Sequence, residues 1–365
     1  MREYFLVCIV AAVLTFAVTP GVRWLAIRLG AASPVRARDV HSHPIPRLGG
    51  VAMLLGFLGS VAVASRLPHL SQIFDSLEIR GVVIGAVLIT FVGAIDDIRE
   101  LDALTKLAGQ VIAAGAMAFF GVQLLSLPLF GVTVLPGPVL VGLTVLIVLV
   151  TTNAVNFIDG LDGLAAGIVA IAALAFFLYA YQLTYTYDPP NVMSTATFVT
   201  AATFGICLGF LPHNFNPARL FMGDAGSLLL GLLLAAATIS MVGNIDPSAQ
   251  VSRNAEVALY LPIVLPLAIM SIPLLDMTLA VVRRTRRGQR PWHPDTQHLQ
   301  HRMLAIGHTH RRAVLLLYLW AGIVAFGVTS FAFVEGFLPV VAIAAATLLA
   351  LVLTAALPNW LRRRA

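Results

Sequence analysis

Charge is scarce in this chain. Asp, Glu, Lys and Arg make up 11% of its 365 residues, against 59% hydrophobic residues. That balance is membrane composition and excludes an ordinary soluble domain. Lysine is almost missing, with Lys106 the sole example. It does not follow a G-x-x-x-x-G pattern, so no P-loop is present. The only two cysteines, Cys8 and Cys207, both lie in apolar runs. Neither a disulfide nor a cysteine-built zinc site is expected from them. The net charge is +6, yet the arginines cluster beside apolar spans and not along one soluble face. That placement argues against a nucleic-acid partner.

Long apolar runs fill the chain instead. Segments of roughly 17 to 25 residues recur along the whole length, each able to cross a ~30 Å hydrocarbon layer as a helix. The reading is a single all-α polytopic membrane domain over residues 1–365. It has about eleven transmembrane helices: 4–22, 48–66, 81–95, 107–122, 138–155, 164–183, 196–211, 227–243, 257–282, 313–332 and 338–357. The segment 123–137 is apolar but broken by Pro128, Gly131, Pro136 and Gly137, which predicts an interfacial hairpin. With the N-terminus outside and the C-terminus cytoplasmic, the inner segments hold 19 of the 23 Lys and Arg, as the positive-inside rule requires. The first span reads as an uncleaved anchor, because Arg23, Arg28, Arg36 and Arg38 follow it. The expected location is the plasma membrane.

The inner loops carry the chemistry. Asn153 to Gly167, NAVNFIDGLDGLAAG, sets two Asn and two Asp at the rim of a span with no basic residue among them. Such a cluster is costly unless something binds there. Its oxygens suit a hard cation such as Mg²⁺, which takes one or two carboxylates plus substrate phosphates. The run from Asp159 is no EF-hand, since Leu161 and Ala170 occupy the third and twelfth positions. Asp96 and Asp97 end the third span, with Lys106 nearby. The loop PHNFNPARLFMGDAGS offers Asn214, Asn216, Arg219, Phe221 and Asp224. As a bland alternative, Asp224 serves as N-cap of the eighth span. Loop 23–47 contributes His41, His43 and Arg47, and Asp276 lies within the ninth span. The loop before residue 312 is rich in Arg and His, including His298, His301 and Arg302. Arginines beside a membrane attract anionic headgroups or phosphates. All these loops meet on one membrane face. Acids for a metal and cations for phosphates are the parts of phosphoryl transfer at a membrane surface. A transporter, the rival reading, would place its polar site near the bilayer midplane on broken helices.

Several stretches are specific: PRLGG at 46–50, DD at 96–97, NAVNFIDGLDGLAAG at 153–167, NFNPARLFMGDAGS at 214–227 and HLQH at 298–301. Through them the chain resembles the polyprenyl-phosphate N-acetylhexosamine-1-phosphate transferases of the WecA and TagO type, with MraY a more distant relative. The resemblance implies transfer of a sugar 1-phosphate from a UDP-sugar to undecaprenyl or decaprenyl phosphate in the bilayer, with release of UMP. It implies Mg²⁺, with Mn²⁺ as a substitute, held by Asn156 and Asp224. It places Asp159 and Asp162 along the nucleotide pocket and Phe221 on the uracil. Lys106 falls near the phosphates, and Asp96 or Asp97 acts on the lipid phosphate as the catalytic group. His298 and His301 bind the pyrophosphate or sugar end, and His41, Arg47 and Arg302 join the substrate-binding set. Two positions depart from the pattern. Gln300 stands where the WecA type has histidine, and Asp39 where many members have lysine. A glutamine can donate to a phosphate or sugar but cannot move a proton. The histidine stretch is nearer the N-acetylglucosamine enzymes than MraY, which uses a UDP-muramoyl-peptide.

Overall fold

The structure is a computed structural model. It describes residues 1–32, 44–124, 127–128, 132–133, 135–186, 194–243, 268, 271–288, 299–334 and 336–362. The chain runs as α1 (Arg2–Arg28), α2 (Gly49–Ala64), α3 (Leu77–Arg99), α4 (Ala103–Phe119), α5 (Gly137–Ile158), α6 (Leu164–Thr186), α7 (Thr195–Asn214), α8 (Gly223–Gly243), α9 (Ser271–Arg286), α10 (Leu299–Ile306), α11 (His310–Ser330) and α12 (Leu338–Arg362). Eight of these helices are long and apolar enough to cross a membrane: α1, α3, α5, α6, α7, α8, α11 and α12. α2 and α4 are apolar but shorter. Each expected span before the ninth coincides with one helix, and so do the last two. Most of 257–282 lies outside the described residues, with α9 covering its end. The hairpin expected at 123–137 is present as a two-residue antiparallel ladder, β1 (Leu127–Pro128) against β2 (Val132–Thr133).

α8 is the axis of the bundle. It is buried almost throughout, by α3 and α5 on two sides and by α2 and α7 elsewhere. α1 packs on α7 and α2, and α11 on α6. Helices driven together in lipid depend on small residues at the crossing, because there is no hydrophobic gain between apolar faces. Two glycines show this at α8. A Cβ on Gly93 of α3 would lie 2.5 Å from the Ala225 backbone, and one on Gly231 of α8 would lie 2.4 Å from Thr152 Cα of α5. These crossings bring the ends of α3 and α5 against the first turn of α8.

The α3–α4 corner is tight. Glu100 closes α3 in the left-handed region at φ 48°, and Asp102 caps α4 by accepting from Leu104 N and Thr105 N, both at 3.0 Å. An aspartate at this position satisfies orphan helix donors. The corner turns Lys106, in the first turn of α4, back toward the acids that end α3.

Candidate active site

Lys106 is the hub of the cluster. Its ammonium donates to Asp96 Oδ2 at 3.0 Å and contacts Asp224 Oδ2 directly. Asp96 Oδ1 accepts from Leu101 N at 2.7 Å, which fixes the carboxylate at the corner. From α5, Asn156 Nδ2 donates to Asp224 Oδ1 at 2.6 Å and to Ser227 Oγ at 2.8 Å. Two helices, α4 and α5, therefore converge on the one carboxylate that α8 presents, with the cation on one oxygen and the amide on the other.

Asp224 does not cap α8 with its own side chain, as the bland alternative expected. It lies inside the first turn, and the cap comes from α3. Asp97 Oδ1 accepts from Asp224 N at 2.9 Å, and Asp97 Oδ2 accepts from Ala225 N at 3.0 Å. A carboxylate across two N-terminal amides also complements the helix dipole.

The backbone of PRLGG closes one wall. Phe221 N donates to Pro46 O at 2.9 Å, Gly49 N to Phe221 O at 3.0 Å and Gly50 N to Met222 O at 2.9 Å. Leu48 takes φ 98° to turn these amides inward. Arg47, between them in sequence, is part-buried, and its charge acts on both Asp97 and Asp159. The other wall is the 159–163 turn. Asp162 is 3% exposed. Its Oδ2 accepts from Asn216 Nδ2 and Ala218 N, each at 3.0 Å, and its backbone N–H donates to His310 Nε2 at 3.1 Å. Gly163 has φ +78° and donates to Asn214 Oδ1 at 3.0 Å, while Tyr318 Oη donates to the Gly163 carbonyl. Asp162 thus holds the 214–222 loop in shape from within. Asp159 stands just past the end of α5. Desolvation pushes its carboxyl up to about 7; Arg47 pulls the other way, and Asp97 and Asp162 add to the rise.

Asp96, Asp97, Lys106, Asn156 and Asp224 are thus linked in one chain of contacts centred on Asp224, with Arg47, Asp159, Asp162 and Phe221 in the surrounding walls. His41 and His298 lie outside the described residues, as do the side chains of His301, Arg302 and Asp276. Two contributors carry no role in the sequence reading, although Ser227 ends the 214–227 stretch. Ser227 orients the Asn156 amide from one helix turn inside α8. Gln110 bonds Asn153. Its only sequence signal is a glutamine four residues after Lys106 in an apolar run.

Among the described residues, no group of three or more His, Cys, Asp and Glu side chains is arranged to hold a metal. Asn156 and Asp224 offer an amide and a carboxylate in contact. They meet through the amide nitrogen, and Lys106 holds the second Asp224 oxygen. The donor types are those of Mg²⁺, which takes one or two carboxylates with water and phosphate, once the Asn156 oxygen and an Asp224 oxygen turn to it. A calcium-type cage would need six to eight oxygens.

A bundle of apolar spans whose acids and cations gather at one end defines a multi-pass membrane enzyme. Residues 79–242 match the model of glycosyl transferase family 4. The decaprenyl-phosphate N-acetylglucosaminephosphotransferase of Mycobacterium tuberculosis (strain ATCC 25618 / H37Rv) is 44% identical over 335 residues, covering 90% of this chain and 83% of that protein. The probable undecaprenyl-phosphate N-acetylglucosaminyl 1-phosphate transferase of Bacillus subtilis (strain 168) is 34% identical, covering 85% and 80%. A phospho-N-acetylmuramoyl-pentapeptide-transferase of Desulforudis audaxviator is 33% identical over a shorter stretch, 63% of this chain and 74% of that protein. The chain belongs to glycosyl transferase family 4, among the polyprenyl-phosphate sugar-1-phosphate transferases.

Proposed function

We propose that the protein transfers N-acetylglucosamine 1-phosphate from UDP-N-acetylglucosamine to a decaprenyl or undecaprenyl phosphate, releasing UMP, at the inner face of the plasma membrane. The observation that carries this reading is the convergence of Lys106 and Asn156 on Asp224 at the end of the bundle, with Asp96 holding Lys106 from the other side. The names of the N-acetylglucosamine relatives, which align over most of the chain, support the sugar and the lipid. The positive-inside asymmetry supports a cytoplasmic site, with the N-terminus outside and the C-terminus inside.

Asn156 and Asp224 would hold Mg²⁺, which when bound offsets the charge of the UDP-sugar phosphates and of the leaving UMP. The chain's own residues do the rest. Lys106 presents an ammonium to the same phosphates and keeps Asp96 within reach of the lipid phosphate. An oxygen of the prenyl phosphate attacks the phosphorus bonded to the sugar, and the bond to the UMP oxygen breaks. The attacking phosphate is already anionic at neutral pH, so a general base contributes less than it would for an alcohol. Asp96 and Lys106 therefore act chiefly by placing charge. Arg47 and Asp159 line the nucleotide side, Phe221 packs on the base, and Asp162 keeps that wall in shape. His41, His298, His301 and Arg302 complete the sugar and phosphate contacts.

A transport role is not favoured, because the polar groups gather at helix ends and not at mid-span. The test is direct. Purified protein with a prenyl phosphate and Mg²⁺ should release UMP from UDP-N-acetylglucosamine in preference to other UDP-sugars. Absence of UMP release with every UDP-sugar would overturn the reading. Cysteines introduced at Asp97 and Asp246 should label from opposite sides of the membrane, Asp97 from the cytoplasm.

A further inference from the structure

One helix turn deeper than the charged cluster lies a pair of amides with no part in the transfer as described. Asn153 Nδ2 donates to Gln110 Oε1 at 2.8 Å and to Leu149 O at 2.7 Å. Gln110 is 1% exposed and shares its helix with the buried Ala113, Ala114 and Met117. A buried amide in an apolar helix is costly without a partner, and inside a bundle of spans such a pair ties two helices together.

The spacing gives the pair its meaning. Gln110 follows Lys106 by four residues on α4, and Asn153 precedes Asn156 by three on α5. Residues so spaced share a helix face. The faces that carry Lys106 and Asn156 to the two oxygens of Asp224 are therefore the faces that meet at Gln110 and Asn153. α4 packs chiefly on α3 and α5, whereas α5 packs directly on α8. The position of Lys106 relative to Asp224 is thus inherited from neighbouring helices. A bond between α4 and α5 one turn away sets that position along the helix axes.

We infer that Gln110 and Asn153 are positioning residues for the transfer: their amide–amide bond fixes the register of α4 on α5 and so holds Lys106 and Asn156 against Asp224. The inference rests on the transferase reading above. A misplacement of about 1 Å at a reacting centre can cost on the order of 10² in rate.

The experiment is a kinetic double-mutant cycle with Gln110→Leu, Asn153→Leu and the double variant. All are purified in detergent and assayed for UMP release from UDP-N-acetylglucosamine with saturating prenyl phosphate. Each single variant should lower kcat by about 10-fold or more, with KM for the UDP-sugar within about 3-fold, the mark of lost positioning and not lost binding. The double variant should be no slower than the slower single variant, because both substitutions break one bond. Gln110→Met and Asn153→Ser carry the same cycle if leucine blocks insertion. Single variants that melt lower but turn over at the wild-type rate would overturn the inference. A double variant whose loss equals the product of the two single losses would also overturn it. Wild-type protein assayed in parallel separates the two ideas, since its failure to release UMP counts against the transferase reading itself.

Discussion

The carboxylate of Asp97 belongs to α8 as much as to its own helix: its two oxygens accept the backbone N–H groups of Asp224 and Ala225 at 2.9 and 3.0 Å. Its neighbour Asp96 faces Lys106 instead. Adjacent residues on a helix point about 100° apart, and here that divergence divides the pair into a clamp and a charge facing the site.

This division predicts different fates for the two asparagine variants. Asp97→Asn keeps one acceptor and loses the other, at a cost of about 1–3 kcal/mol for a broken buried bond to a charged group. Melting temperature and turnover should fall together. Asp96→Asn should leave the melting temperature nearly unchanged and lower the rate by a factor on the order of 10², because the Lys106 ammonium loses the carboxylate that places it. Scanning fluorimetry beside UMP release on the same preparations separates them. Equal melting losses in both variants would show that the two aspartates share one structural role.

Lys106→Met should lower turnover by a factor on the order of 10² or more, since a preorganised cation aimed at phosphate oxygens is removed. Lys106→Arg should not restore it. The guanidinium is a planar fork, and the ammonium here occupies a compact place between two carboxylates. Single-turnover rates at saturating UDP-sugar and lipid are the measurement.

Asp159 predicts a pH effect. Its carboxyl is raised to about 7 in the folded protein, chiefly by desolvation, against about 3.9 in an unfolded chain. An acid raised on folding keeps its proton in the native state while the unfolded chain has already lost one. Stability is therefore lost as pH rises from about 4 to about 7 and then levels off. Asp159→Asn removes this dependence. In ligand-free protein the variant should melt progressively higher than wild type between pH 5 and 7, by several degrees at pH 8. A constant offset across that range would refute the raised value.

Gly93→Ala tests the α3–α8 contact. The added methyl would meet the Ala225 backbone at 2.5 Å, so one helix must shift. Overpacking of this kind costs about 1–3 kcal/mol. Because Ala225 adjoins Asp224, turnover should fall along with the melting temperature. By contrast, Gly142→Ala, with nothing among the described residues within 4 Å of its Cβ, should keep wild-type turnover and melt no lower than wild type.

Much of this was legible in the order of residues. Apolar runs marked the helices, since only a helix satisfies its own backbone in lipid. The polar residues stood out because the rest is so apolar, and NAVNFIDG and FMGD carried the chemistry in plain view. What sequence could not show was which polar groups serve one another. The Asp97 cap joins residues 127 positions apart, and Asp162 reaches 54 positions to Asn216. Both are contacts through space between loops, and neither has a periodicity to betray it. Nor could sequence show that Asp162, read as lining the nucleotide pocket, is 3% exposed and also holds the 214–222 loop. Gln110 stayed hidden because one amide in an apolar helix has no signature until its partner is known. The ends of α1 also ran past the expected span, to Arg28, because a helix continues beyond the hydrocarbon wherever its own hydrogen bonds are kept.

The place of α8 as the axis has a consequence for how the chain is made. Lys106 meets Asp224 across 118 residues of chain, and Asn156 meets it across 68. A ribosome delivers α3, α4 and α5 to the membrane well before α8. Until then Lys106 and the two carboxylates that end α3 lack the helix terminus they are built around, and Gly49 and Gly50 have no carbonyls to bond. The nascent bundle therefore passes through a stage at which its most polar surface is incomplete. Arrival of the FMGD segment closes that surface in one event. A chain cut short before residue 223 should stay a substrate for membrane proteases, whereas one that has taken in α8 gains its site and its protection together.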